Sequence, residues 1–434
     1  MIFFLALENF YILDGAIKQQ FFAAPYPDVL PRNPPGRIYC TTVLDLKKLE
    51  DRFLAGNKRI LTQIIPEDMV RQAAGFPVEL GVSNYRELEK EQAYANPARL
   101  QNNTVTPRKT ANLEKQISRL RKNEINVAIL NGMGTGIGDT LAGLTALAIT
   151  RKLLERKFSK VNIDALIGPQ CFESVAPVYS QSPVVNAVHP LPVTLADLRQ
   201  YDACFDTGSL MHREDADRLP YVDFFLKQFG IDYWKIEPAR KRNSIGLDKE
   251  VAKELDSDIG MLKNDGRKLL LFHPTASGEL RSIPEEIIAG TMKEIIANSD
   301  YRIVTVVPVP FQHERVTSLT EKSKSFQHLC AIVSRMDAIV TVDTSIYHIA
   351  DAFNVPALVL FTTIDPGLRV KYYPTVRGML LPGARVSGYF GRHALRSGED
   401  AGPVRRLWDG LRIADVLRDL EPLMKKSRHS KELS

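Results

Sequence analysis

The chain has 434 residues, 44% hydrophobic and 25% charged, which is long enough for two or three domains and is ordinary globular composition, neither disordered nor collagen-like. The net charge of +6 suits an anionic small ligand or an anionic membrane face and is too weak to argue for nucleic acid. Four cysteines (Cys40, Cys171, Cys204, Cys330) stand far apart with no CxxC and no metal-ligand spacing, so they read as reduced thiols of a cytoplasmic protein.

The start, MIFFLALENFYIL, is apolar but lacks a basic leading region and carries Glu8 and Asn9, so no signal peptide is expected. No run of about 18 apolar residues predicts a transmembrane helix. Residues 1–120 read as an α+β accessory module. Segments 3–13 and 16–22 flank Asp14-Gly15, a hairpin signal, and a strand is expected at 37–43. Helices are expected at 44–54, 66–74 and 84–96, and a polar linker at 102–110. The stretch 108–122 is basic and helical. No catalytic constellation stands in this module, which suits oligomerisation or acceptor docking.

Residues 121–245 read as a first α/β domain. A buried strand at 125–130 is followed by NGMGTGIGDT at 131–140, a helix at 141–157, a strand at 161–167, and later strands near 183–189 and 203–206. The glycines, Gly136 and Gly138 among them, let backbone approach a ligand closely. The loop resembles a dinucleotide fingerprint imperfectly; Asp164 stands where a ribose ligand is expected. Asp139 follows directly, at the start of a helix. It is either a helix-start carboxylate worth roughly 0.3–1 kcal/mol or a general base.

The polar stretch 240–266 suggests an interdomain linker. The second α/β domain, 266–404, opens with a strand at 268–272 and the loop HPTASGE, in which Thr275, Ser277 and Gly278 offer hydroxyl and N–H groups to a phosphate. Arg281 adds a planar cationic fork. Ser282 and Glu285 form a capping-box pattern before a helix at 283–297. A strand follows at 301–308, with Glu314 beyond it, and a short helix at 326–333. Residues 338–366 read strand, Asp343-Thr344-Ser345, helix, strand. The N–H groups of Thr344, Ser345 and Ile346 suit an anion, and His348 lies one turn on. Two such loops in one domain argue for a shared pyrophosphate site at the carboxyl ends of parallel strands. A Gly- and Arg-rich stretch at 383–403 reads as loop, and 407–426 as an amphipathic helix. The aspartate pairs Asp256/Asp258 and Asp215/Asp217 sit in charged, irregular stretches and make poor metal motifs.

Four stretches together resemble glycosyltransferase family nine, the ADP-heptose:lipopolysaccharide heptosyltransferases and their relatives. They are GTGIGDTLAGLTAL at 134–147, YDACFDTGSL at 201–210, HPTASGELRSIPEE at 273–286 and VDTSIYHIADAFNVPALVLFTTIDP at 342–366. The resemblance implies a GT-B fold: two Rossmann-like, doubly wound domains facing a cleft, and a crossover helix and tail at 405–434. It implies an inverting, metal-independent transfer from a nucleotide-diphosphate sugar to an acceptor hydroxyl, with no other cofactor. Asp139 falls on the family's base position. Arg281 stands where a lysine meets donor phosphate, Glu314 near the ribose carboxylate, and Asp343, Thr344 and His348 in the donor signature. The chain departs from that signature at Ser345, Tyr347, Arg281 and Thr362-Thr363. Lipid-linked saccharide, lipopolysaccharide core, protein and small-glycoside acceptors all fit this reading, as does peripheral contact with the inner face of the cell membrane. The competing readings are a non-catalytic nucleotide-binding relative, a sugar-nucleotide epimerase and a nicotinamide-dependent oxidoreductase.

Overall fold

The computed structural model describes residues 117, 120–190, 200–207, 216, 218–392, 395 and 399–432, with backbone alone at 169–170, 204, 206 and 426–432, and the backbone of six strands among residues 2–79. Those strands are β1 (Ile2–Ala6), β2 (Phe10–Asp14), β3 (Ile17–Phe21), β4 (Ile38–Thr41), β5 (Thr62–Ile65) and β6 (Val78–Glu79). They make a four-stranded sheet, β5-β1-β4-β6, and a separate pair, β2-β3. The β2–β3 register puts Asp14 opposite Ile17, as the Asp-Gly signal predicts. The helices expected at 44–54, 66–74 and 84–96, the linker at 102–110 and the Asp215/Asp217 pair lie outside the described residues.

The residues group into two compact units. The first is Met1–Thr135, Leu147–Ala216 and Phe225–Tyr233; the second is Gly136–Ala146, Asp217–Phe224 and Trp234–Ser434. In the first unit, β7 (Glu124–Leu130), β8 (Lys160–Ile167), β9 (Ala187–Pro190) and β10 (Ala203–Asp206) form a parallel sheet in the order β10-β7-β8-β9. The last four residues of β7 are buried, the apolar run that a parallel strand covered on both faces requires. Helix α1 (Ile137–Leu154) follows β7, and α2 (Pro169–Ser180) follows β8 with proline in its first turn. The strand expected near 183–189 begins only at Ala187, because a turn closes first, with the Val185 N–H donating to the Ser182 carbonyl.

The second unit holds a six-stranded, wholly parallel sheet. Its strands are β11 (Leu269–His273), β12 (Arg302–Thr305), β13 (Val316–Ser318), β14 (Ala338–Val342), β15 (Ala357–Phe361) and β16 (Val376–Leu380), in the order β13-β12-β11-β14-β15-β16. Numbered within the unit this is 3-2-1-4-5-6, the Rossmann order, whose direction reverses between β11 and β14. Every residue of β11, β14 and β15 is buried. The α/β class with parallel sheets therefore stands as expected.

Three local expectations are corrected. The polar stretch 240–266 contains α4 (Lys249–Leu262): Asp248 caps it by accepting from the N–H groups of Glu250 and Val251, and Leu255 and Ile259 bury its inner face. The Ser282–Glu285 capping box does not form. Helix α5 (Glu285–Asn298) starts after Pro284, and Ser282 Oγ instead accepts from Ala276 N at 2.9 Å and donates to the Gly278 carbonyl. The closing helix α8 (Ile413–Glu432) begins six residues later than expected. Its residues Ile413, Val416, Leu420 and Leu423 join the second unit's core, where they pack with Leu270, Phe272, Leu358 and Leu360. Further described helices, each longer than four residues, are α3 (Tyr221–Gln228), α6 (Phe326–Ser334), capped by Ser325, and α7 (Ile346–Ala352).

Candidate functional site

The reversal between β11 and β14 opens the sheet's carboxyl edge, where ligands of this architecture bind. Two loops leave there. After β11 the chain runs through Ser277 to the single turn Glu279–Arg281; after β14 it runs through Asp343-Thr344-Ser345 into α7. The start of α1 belongs to the same unit. Together they line a pocket of about 180 Å³ that brings Gly136, Gly138, Asp139, Ser277, Arg281, Asp343, Thr344, Ser345 and His348 into one place. Thr275, Gly278 and Glu314 do not line it. Glu314 is exposed, and its backbone carbonyl accepts from Arg302 at 3.0 Å.

Arg281 bridges the two loops. Its Nη2 donates to Ser277 Oγ at 2.7 Å, and its Nη1 donates to the Asp343 carbonyl at 3.2 Å and lies 3.4 Å from Asp343 Oδ2. Asp343 is buried, and its other oxygen accepts from the Tyr347 hydroxyl at 3.0 Å. Tyr347, one of the departures from the family signature, thus fixes the aspartate's orientation. Thr362, another departure, donates to the Leu280 carbonyl at 2.5 Å and ties the end of β15 to the Arg281 turn.

Asp139 faces the pocket from the first turn of α1. Burial raises its pKa above the ordinary carboxylate value; the Arg369 cation and a hydrogen bond from Tyr221 oppose that rise. His348, expected one turn into the helix beside the anion site, lines the pocket. Its Nδ1 is 2.8 Å from the Tyr373 hydroxyl, and burial lowers its pKa to about 3, so the ring is neutral. A Cβ on Gly138 would come within 3.0 Å of His348 Cδ2, so only glycine admits this approach of α1 to α7.

Two further pocket residues, Tyr221 and Arg369, escaped the sequence reading. Arg369 is 5% exposed, and its Cζ stands 3.6 Å from the centroid of the Tyr221 ring. Asp223, two residues after Tyr221, anchors this corner: Lys241 Nζ donates to one of its oxygens at 2.6 Å and Tyr372 to the other at 2.5 Å. The usable signal for Arg369 was its place in the loop after β15, on the same edge of the sheet as the loops after β11 and β14. Asp164, weighed as a ribose ligand, accepts from the Tyr201 hydroxyl at 2.8 Å within the first unit. Asp256 and Asp258, weighed as a metal pair, engage Arg335 and Lys322.

Residues 221–382 match the family model described as glycosyltransferase family 9 (heptosyltransferase). That stretch is a glycosyltransferase family 9 segment. It contains every pocket residue from Tyr221 to Arg369, while Gly136, Gly138 and Asp139 precede it. The protein's class is accordingly glycosyltransferase. Among solved structures, the chain is similar to ADP-heptose lipopolysaccharide heptosyltransferase II of E. coli, at 14% identity over 70% of this chain and 99% of that one, with a TM-score of 0.47. A family 9 glycosyltransferase from Veillonella parvula gives the same identity and coverage with a TM-score of 0.48. E. coli heptosyltransferase WaaC with ADP gives 17%, over 62% and 97%, with 0.42. None of the curated proteins compared with the chain matches it.

Proposed function

We propose that this protein is an inverting glycosyltransferase that moves a heptose or similar sugar from a nucleotide-diphosphate sugar to an acceptor hydroxyl. The observation that carries the reading is the pocket at the strand-order reversal of the family 9 segment, where a carboxylate with a raised pKa shares one small space with the Arg281 fork. Arg281, Ser277 and the Asp343–Ser345 loop hold the donor diphosphate. Asp139 accepts the proton of an acceptor hydroxyl as that oxygen bonds to the anomeric carbon from the face opposite the leaving group. The bond from the anomeric carbon to the diphosphate oxygen breaks, and the nucleoside diphosphate leaves with the electron pair. Arg281 offsets the charge that grows on it, a fixed electrostatic contribution that needs no reorganisation during the step. The raised pKa of Asp139 suits the role, because a stronger base takes the hydroxyl proton more readily once ionised.

The test is a calorimetric and thermal-shift screen of the full chain against ADP, UDP, GDP, CDP, ADP-heptose, their common sugars and NAD. Tight binding of one nucleoside diphosphate and its sugar is expected. Asp139→Asn should keep donor binding and lose at least about 100-fold in turnover, the scale of a general base. Unaltered turnover removes Asp139 from the role, and binding of none of the panel overturns the reading.

A further inference from the structure

Arg369 is a buried cation with a guanidinium nitrogen that has no hydrogen-bond partner. It lies in the loop after β15, just past the single turn Pro366–Leu368, and reaches the pocket wall. Its Nη1 is buried and donates no hydrogen bond. Among the described residues no carboxylate pairs with it as Asp343 pairs with Arg281. What holds it is the Tyr221 ring and the field of Asp139 and Asp343, which attract it from the same wall. A desolvated guanidinium with idle donors is strongly disfavoured unless an acceptor arrives from outside the fold. Arg281 repeats the pattern on a smaller scale: both its Nη atoms are engaged, and its buried Nε is not. Both arginines line one space, and each keeps one buried N–H-bearing nitrogen without a partner. At about 180 Å³ that space is smaller than the ~300–1,000 Å³ of sites that enclose a whole drug-sized ligand, so it takes part of a ligand only.

We propose that Arg369 is a second anion-binding residue of this pocket, its free N–H groups reserved for the diphosphate oxygens of the bound nucleotide sugar. The inference rests on the transferase reading for the identity of the ligand, and on the geometry for its chemistry. Arg281 holds the diphosphate from the β11 loop and Arg369 from the β15 loop. The pair brackets the leaving group, and the charge it gains in the reaction meets two fixed forks. An acidic group on the acceptor is the competing source of the same anion.

The experiment is isothermal titration of the full chain and of Arg369→Gln and Arg369→Lys with the four nucleoside diphosphates and with inorganic pyrophosphate. For Arg369→Gln, affinity for the diphosphate that wild type binds should fall about 10- to 100-fold, as for a lost hydrogen bond to a charged group. Arg369→Lys, which keeps the charge and loses the fork, should fall less. Unchanged diphosphate affinity in Arg369→Gln overturns the proposal and leaves the transferase reading standing; a loss confined to acceptor KM does the same and assigns the residue to the acceptor. Should wild type bind pyrophosphate but no nucleoside diphosphate, with the variant losing it, Arg369 keeps its role and the transferase reading fails. Binding of neither by wild type overturns both. If Arg369→Gln lacks a cooperative unfolding transition, Arg369→Lys decides by the same criteria.

Discussion

At the scale of single residues, the site depends on close approaches that substitutions can probe. His348 is fixed by Tyr373 on one side and packs at a tilt against Tyr347, with ring centroids 4.2 Å apart. It cannot give way to a new methyl group on Gly138, whose Cβ would lie 3.2 Å from Nε2. Gly138→Ala should therefore displace the start of α1 and with it Asp139. Turnover is expected to fall by about 100-fold, the cost of misplacing a reacting group by roughly 1 Å, with the unfolding midpoint little changed. Turnover within twofold of wild type would show that the approach is not needed. Asp139 and Arg281 were legible in the sequence because each stands in a recognisable loop beside a strand end. Tyr221 and Arg369 were not: each is an isolated residue whose meaning comes from the other, 148 positions away in the chain but 3.6 Å apart in space. His348 was legible as a pocket residue, but its neutrality follows from burial, which no local pattern reports.

At the scale of elements, β16 and the turn after β15 lock together through a glycine. A Cβ on Gly378 would come 2.5 Å from Pro366 Cβ and 3.0 Å from the Phe361 ring, both rigid neighbours. Gly378→Ala should cost about 1–3 kcal/mol, the range for overpacking, as read by urea unfolding. It should also shift the Pro366–Leu368 turn and weaken the Arg369 corner. An unchanged unfolding midpoint would mean that the turn yields freely. The buried strands β11, β14 and β15 were legible as apolar runs bounded by loop chemistry. Helix α4 was less so, since Leu255 and Ile259 are its only fully buried side chains and its composition reads as a linker. The Ser282 capping signal failed because a nearer competitor, the Ala276–Gly278 backbone, took the hydroxyl.

At the scale of the molecule, two buried histidines link stability to pH. Burial lowers His273 to about 4 and His348 to about 3, against an ordinary 6.5. Below pH 6.5 the unfolded chain binds a proton at each and the folded chain does not, so their contribution is fully present above pH 6.5 and is lost as pH falls toward about 4 for His273 and about 3 for His348. Each adds a slope of about 1.4 kcal/mol per pH unit within that window. Unfolding midpoints measured at pH 7, 6, 5 and 4.5 should fall steadily, and His348→Asn should flatten the fall. A variant with the wild-type slope would remove His348 from the account.

The sequence by itself determined the alternation of buried strands and helices, and hence the parallel α/β class, because a strand covered on both faces must be apolar along its whole length. It also determined the loop segments after β11 and β14, because their small and hydroxylated residues follow strand ends. Only the tertiary structure decided the 3-2-1-4-5-6 order that sets those loops side by side, since strand order depends on which crossovers pack and leaves no local trace. It alone decided where the closing helix lies, because an amphipathic face says that it is covered and not by what. And it alone left Arg369 buried with an idle donor, since a guanidinium's want of a partner depends on every residue folded around it.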